Sequence, residues 1–257
     1  MEETKRRRFI IRAVLEGEVD VQDEPVPPGP QYVTDGLIHR WDAIDNTGNG
    51  HDAAATTWTD LVGDYDLELR GDLTWGDDCI TFPQPSSSTS RNFLRSALNN
   101  IDSATNATVE VVIKPNSSGT YTVAQLCYDS SYAADAFGKI ITFSDNTISV
   151  MGKSGYTYST GVNALTDVRH IAATYSSVPE VNNVYVNGVA ASVSTKTHSL
   201  RNTVERIIVG GSMQSSGAND VAYPFYGNIY SIRIYNRNLT AGEIAQNYSA
   251  DQAIYNI

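Results

Sequence analysis

The chain has 257 residues, of which 41% are hydrophobic, with a formal net charge of −11 and two cysteines. At this length folding buries roughly 70% of the unfolded chain's surface, so a core forms without disulfide or metal staples. The acidic balance excludes a broad nucleic-acid footprint and attraction to an anionic membrane, because both need clustered Lys and Arg; no apolar run approaches the roughly 18 residues of a membrane-spanning helix.

Residues 1–31 differ from the rest. Lys5, Arg6, Arg7 and Arg8 form a basic cluster, Glu16, Glu18, Asp20, Asp23 and Glu24 an acidic one, and "EPVPPGPQ" follows. Clustered prolines favour an extended, semi-rigid spacer. The expected organisation is an arm and linker over 1–31 and one domain over 32–257. Composition alone also fits a disordered tail. The functional alternative is a docking arm, since "RRFIIRAVLEGEV" alternates enough to add a strand to a partner's sheet. Its candidate docking residues are Arg6, Arg7, Arg8, Phe9, Ile10 and Ile11. The apolar stretch from Phe9 to Leu15 is short and broken by Arg12, so it does not read as a standard export signal.

From Thr34 onward the pattern is strand and turn. "ATVEVVI", "YTVAQLCY", "GKIITF", "NTISVM", "VRHIAATY", "NNVYVNG", "VERIIVGG" and "NIYSIRIYN" follow one another between residues 107 and 236. Each is short, rich in β-branched or aromatic residues, and bounded by turn residues. "SDNT" at 144–147 marks a tight turn, and Asn187-Gly188 predicts a type I′ hairpin. Many short strands with such turns indicate an antiparallel sandwich or barrel. In the last strand, Tyr230, Ile232 and Ile234 are expected on one face and Ser231, Arg233 and Tyr235 on the other. Thr240 and Glu243 have capping-box spacing, so a short helix should start there. Ala241, Ile244, Ala245 and Tyr248 give it an apolar stripe, expected to plug an edge or end of the sandwich.

Four stretches carry a family resemblance: "DGLIHRWDAIDNTGNGHDAAATTWTDLVG" (35–63), "NATVEVVIKP" (106–115), "RHIAATYSSVPEVNNVYVNGV" (169–189) and "IRIYNRNLTAGEIAQNY" (232–248). In this order they resemble the laminin G-like jelly rolls of the concanavalin A-like lectin/glucanase superfamily, over about residues 34–257. Val112 departs from the pattern, which has an aromatic there. The resemblance implies an all-β fold, an antiparallel β-sandwich jelly roll closed by a short C-terminal helix. It fixes no activity, because one fold hosts many functions.

Some members of the superfamily are glycosidases, whose chemistry needs paired carboxyls on one strand face. Glu110 and Glu205 each stand alone, and the alternating Asp64, Asp66 and Glu68 fall on an early strand of the pattern. His39, His51, His170 and His198 are scattered without metal-protease spacing, and there is no G-x-S-x-G elbow. Cys79 and Cys127 have no basic neighbour in sequence and read as core residues. No catalytic residue is assigned.

"WDAIDNTGNGHD" offers Asp42, Asp45, Asn46, Asn49 and Asp52, oxygen donors of the kind Ca²⁺ takes. The resemblance implies Ca²⁺ at a sandwich rim as the one cofactor to test; the plain alternative is an Asx-rich turn. Sugar binding needs an aromatic face beside hydrogen-bonding groups. Tyr128, Tyr132, Tyr156, Tyr158, Tyr223 and Phe225 lie in or beside Ser/Gly/Asp-rich loops and are the glycan candidates. The competing reading is that they pack on strand faces with wet hydroxyls.

Together these features lead us to expect a non-enzymatic domain that binds or displays glycans. With the arm and no export signal read, the expected setting is the surface of a bacteriophage virion, as a head decoration, fibre or tail protein. The expected partners are glycans and a capsid or tail protein docked through the arm, with oligomerisation allowed and no nucleic acid or membrane. The alternatives are an extracellular bacterial carbohydrate-binding protein and a glycoside hydrolase.

Overall fold

The computed structural model describes residues 31–97, 106–117, 119–127, 137–142, 148–152, 155–160, 167–175, 183–194, 206–213 and 219–257. The arm, including Arg6 to Ile11, and the candidates Tyr128 and Tyr132 lie outside the described residues.

Two antiparallel sheets face each other. The first, with eight strands, runs Val189–Ala190, Asn183–Val186, Arg169–Tyr175, Ala107–Pro115, Gly227–Tyr235, Ile80–Phe82 and Thr74–Trp75, with Leu37–Asp42 also paired to Gly227–Tyr235. The second, with nine, runs Ser192–Ser194, Gly155–Thr160, Ile148–Gly152, Phe137–Thr142, Tyr121–Cys127, Arg206–Val209, Phe93–Ser96, Leu67–Arg70 and Thr57–Trp58. A three-stranded sheet of Ser212–Met213, Val221–Ala222 and Thr89–Ser90 adds a layer. Each of the eight segments read as strands from the sequence is a strand here. The Asn187-Gly188 turn has φ of 51° and 74°, the type I′ geometry that its residues favour.

The period-two alternation of the strands fills the space between the sheets. Val109, Val111, Ile113, Ile171, Ile232 and Ile234 of the first sheet meet Leu67, Leu94, Val123, Leu126, Ile207 and Val209 of the second in one cluster. The opposite face of Ala107–Pro115 is also buried, which alternation alone does not predict. The cover is the C-terminal helix, Ala241–Tyr255.

That helix starts where its cap is written. The Thr240 hydroxyl accepts from the Glu243 N–H, and the Glu243 carboxylate accepts from the Thr240 N–H. It ends on Asn256, left-handed at φ 53°, whose N–H donates to the Gln252 carbonyl.

Two expectations are corrected. The helix buries Ile244, Asn247, Ala250, Asp251 and Tyr255, whereas Ala241 and Ala245 are exposed. The stripe is partly polar because polar partners wait beneath it. In the last strand a bulge falls between Ile229 and Ser231. Tyr230 is thereby turned away from Ile232 and Ile234 and packs with Tyr255 under the helix. The extra residue of a bulge shifts the alternation by one.

Candidate functional site

Two places in the described residues concentrate polar side chains. One is buried under the C-terminal helix; the other is an open cavity at the rim.

Under the helix, Glu110 of the Ala107–Pro115 strand faces Arg233 across the ladder. The Arg233 Nε donates to Glu110 Oε2 at 2.8 Å, and its two terminal nitrogens donate to both oxygens of Asp251 at 2.8 and 2.6 Å. Asn247 donates to Glu110 at 2.8 Å and to the Tyr235 hydroxyl at 3.0 Å. His170 lies 3.4 Å from Glu110 through Nε2. All of these side chains are buried. Burial raises the Glu110 carboxyl's pKa, but the Arg233 guanidinium and then His170 outweigh it, and the net shift is downward. One guanidinium thus binds both Glu110 and Asp251, and the lowered pKa of Glu110 means that it is no acid poised to give up a proton. Buried charges persist only when paired and bonded in this way.

The linker's end completes this cluster. The Tyr32 hydroxyl donates to Asp251 Oδ1 at 2.8 Å, and its ring lies 4.2 Å from the Arg233 guanidinium carbon. The Val33 N–H donates to Asn247 Oδ1, and the Val33 carbonyl accepts from the Tyr235 hydroxyl. The domain's chain therefore begins strapped to its last helix.

The rim cavity has a volume of about 570 Å³. It lies along the segment from Pro83 to Asn92, with Asp72 and Asp220 closing it. Its polar walls include Gln84, Arg91 and Asn92. Tertiary pairing builds it: Thr89–Ser90 pairs with Val221–Ala222, which brings Asp220 beside the 83–92 segment. The Asp72 N–H donates to Asn92 Oδ1 at 2.8 Å. Gly71 allows this approach, because at φ 77° a Cβ would collide with Asn92 Oδ1. The segment braces itself through Ser87, whose hydroxyl donates to the Thr89 carbonyl at 2.7 Å, and Ser90, whose hydroxyl accepts from the Asn92 N–H at 3.0 Å. The size falls within the range of small-ligand sites. The walls offer hydrogen bonds, so the arrangement suits a polar ligand.

Sequence reasoning passed over these residues. The available signal was "PQPSSSTSRN" at 83–92, a polar run too long for a tight turn between two strands.

The residues singled out from sequence have other fates. Phe225 is 1% exposed and packs edge-on against Phe82 and Tyr121. It is a core residue with no face for a ligand, which corrects its place among the glycan candidates. Tyr223 is 56% exposed, at φ 49°, on the turn directly after Val221–Ala222. Tyr156 and Tyr158 lie in the strand Gly155–Thr160, paired in register with Met151 and Ser149, so a strand stands where the sequence suggested a loop. Tyr156 and Tyr158 thus share one strand, and Tyr223 lies on a separate turn.

In the 42–52 loop the side-chain oxygens of Asp42, Asp45, Asn46 and Asp52 already accept from protein groups. Asp42 is buried, caps the turn at the Ile44 N–H, accepts from the Tyr255 hydroxyl and pairs with Arg40. Asn46 is buried and bonds the Asp52 backbone through both amide atoms. Asp45 Oδ1 accepts from Gly50 N–H, and Asp52 Oδ1 from Ala54 N–H. Asn49 is exposed. Among the described residues no group of three or more His, Cys, Asp or Glu gathers as a metal site. Cys79 is buried, and burial, followed by Asp78, pushes its thiol pKa up to about 11, so it is no ready nucleophile.

A family model described as the concanavalin A-like lectin/glucanases superfamily matches residues 87–245. No curated protein sequence matches the chain. Solved structures of similar fold include a Trypanosoma rangeli sialidase in complex with sialic acid, at TM-score 0.59 and 16% identity, covering 98% of this chain and 40% of that one. The SAP-like pentraxin of Limulus polyphemus aligns at TM-score 0.52 and 17% identity, over 65% of this chain and 79% of that one. The receptor-binding domain of botulinum neurotoxin type G aligns at TM-score 0.56 and 13% identity, over 84% of this chain and 51% of that one. At these identities the likeness is one of fold. The chain spans about 40% of the length of the sialidases it matches.

Proposed function

The chain belongs to the concanavalin A-like lectin/glucanases superfamily, and from that premise we propose that it is a non-enzymatic sugar-binding domain whose ligand sits in the 83–92 cavity. The observation that carries this reading is the cavity itself: about 570 Å³ walled by hydrogen-bonding side chains on braced backbone. A sugar presents a rim of hydroxyls, and preformed polar walls recognise it at low entropic cost.

In this reading the buried acids lie away from the ligand, and the two carboxylates that line the cavity, Asp72 and Asp220, serve as hydrogen-bond acceptors for it. A glycosidase needs one protonated carboxyl and one free carboxylate facing the sugar. Glu110 and Asp251 share Arg233 beneath the helix. Asp60 is spent on the N–H groups of Arg40, Val62, Gly63 and Tyr65 and on His39. The neighbours in fold, a sialidase in complex with sialic acid and a toxin's receptor-binding domain, support recognition as a use of this fold.

The virion setting belongs to the same proposal and rests on the sequence of residues 1–31, a basic and apolar arm joined by prolines. In it the arm docks on a capsid or tail protein and the domain faces outward, where many copies raise avidity.

The test is a glycan array probed with the full chain displayed multivalently. Saturable binding that is lost on Arg91→Ala and on Asn92→Ala is the expected result. No binding to any glycan would overturn the reading. The same array with Ca²⁺ and with chelator tests the 42–52 loop, where Ca²⁺-dependent binding lost on Asp45→Ala would assign the metal.

A further inference from the structure

Resting on the sugar-binding reading above, we propose that the 83–92 cavity selects a neutral sugar, held through a pair of adjacent hydroxyls, and rejects anionic sugars. The cavity carries two carboxylates, Asp72 and Asp220, against one guanidinium, Arg91. Among the described residues none of these three side chains forms a hydrogen bond or ion pair with another residue, so all three are free for a ligand. An anionic sugar would gain Arg91 but would sit against two like charges, in a chain whose net charge is −11.

A hydroxyl both donates and accepts, so a matching wall must alternate acceptors with donors. Asp72 and Asp220 supply acceptors only. Arg91 supplies donors only. Asn92 has its Oδ1 occupied by the Asp72 N–H at 2.8 Å, which leaves its amide N–H groups to donate. Two neighbouring hydroxyls can each donate to a carboxylate and accept from an N–H, and charge-assisted bonds of this kind are the strong ones. Pro83 and Pro85 bracket Gln84 in the lining and fix the backbone on either side of it.

The experiment is calorimetric titration of the full chain with methyl hexopyranosides, with their 2,3-di-O-methyl derivatives and with N-acetylneuraminic acid. Expected is binding of at least one free hexopyranoside, with about tenfold or greater loss on di-O-methylation, and a similar loss on Arg91→Ala and on Asp220→Asn at unchanged melting temperature. Tighter binding of N-acetylneuraminic acid than of any neutral sugar, strengthened by Asp220→Asn, would overturn the proposal while leaving sugar binding intact. Sugar binding indifferent to Arg91→Ala, Asp220→Asn and di-O-methylation would do the same. The array above separates the two failures, because silence toward every glycan sinks the sugar-binding reading and this one with it.

Discussion

Arg233 and Asp251 meet in a two-bond fork, Nη1 to Oδ1 at 2.8 Å and Nη2 to Oδ2 at 2.6 Å, with both side chains out of solvent. The fork ties the middle of the longest strand pair to the C-terminal helix. Glu110 holds the remaining guanidinium nitrogen from the neighbouring strand. A helix whose buried face includes Asn247 and Asp251 is thus fixed by polar bonds as well as by Ile244.

Removing one partner should cost more than the bond itself, because it strands a buried charge. Asp251→Ala is expected to lose about 3–5 kcal/mol of unfolding free energy in urea. A loss under about 1 kcal/mol would show that the helix is held by its apolar contacts alone.

The same cluster sets an acid limit. The Glu110 carboxyl's folded-state pKa lies below its ordinary value of 4.5, despite burial, because of Arg233 and His170. A lowered pKa means that the folded chain binds fewer protons than the unfolded one. The stabilisation is therefore fully present above about pH 4.5 and is lost as pH falls through the lowered value. Urea midpoints measured from pH 7 down to pH 3 should fall steeply at the acid end. Glu110→Gln should start lower and flatten that slope; an unchanged slope would remove Glu110 as its source.

Tyr32, next to the linker, ties the start of the domain to its core through a hydrogen bond to Asp251 and a ring set beside the Arg233 and Arg40 guanidinium groups. Tyr32→Ala should cost about 1–3 kcal/mol. It should also speed hydrogen exchange at the Val33 amide, which donates to Asn247. Exchange at Val33 as slow as in the parent chain would show that the strap holds without the ring.

Phe225 and Tyr223 stand two residues apart and should behave oppositely. Phe225→Ala removes a ring buried against Phe82 and Tyr121 and should cost about 3–5 kcal/mol. Tyr223→Ala on the exposed turn should change stability by under about 0.5 kcal/mol. Thermal melts of the two variants check this, and comparable losses would contradict the burial of the one and the exposure of the other.

Gly71 couples backbone to cavity. Gly71→Ala places a Cβ against Asn92 Oδ1 at a positive φ, so about 1–3 kcal/mol of stability should be lost. Sugar affinity should fall with it, because Asn92 and Asp72 move together. Loss of stability at unchanged affinity would detach the cavity's floor from its ligand.

The sequence by itself determined the features that depend on short-range chemistry. Period-two alternation marked the strands, Asn187-Gly188 wrote its own turn, and Thr240 with Glu243 wrote the start of the helix. Each signal spans a few residues, and sterics or one local hydrogen bond enforces it. The tertiary structure decided which faces those elements present. Glu110 stands alone in the sequence and meets Arg233 only when the strands pair, and Asn247 and Asp251 join it only when the helix packs over them. One bulge turned Tyr230 to the other face. The cavity joins Asp72, the 83–92 segment and Asp220, which only strand pairing over long sequence separations brings together. No local rule records such a meeting, because the free energy that makes it comes from burying both sheets against each other.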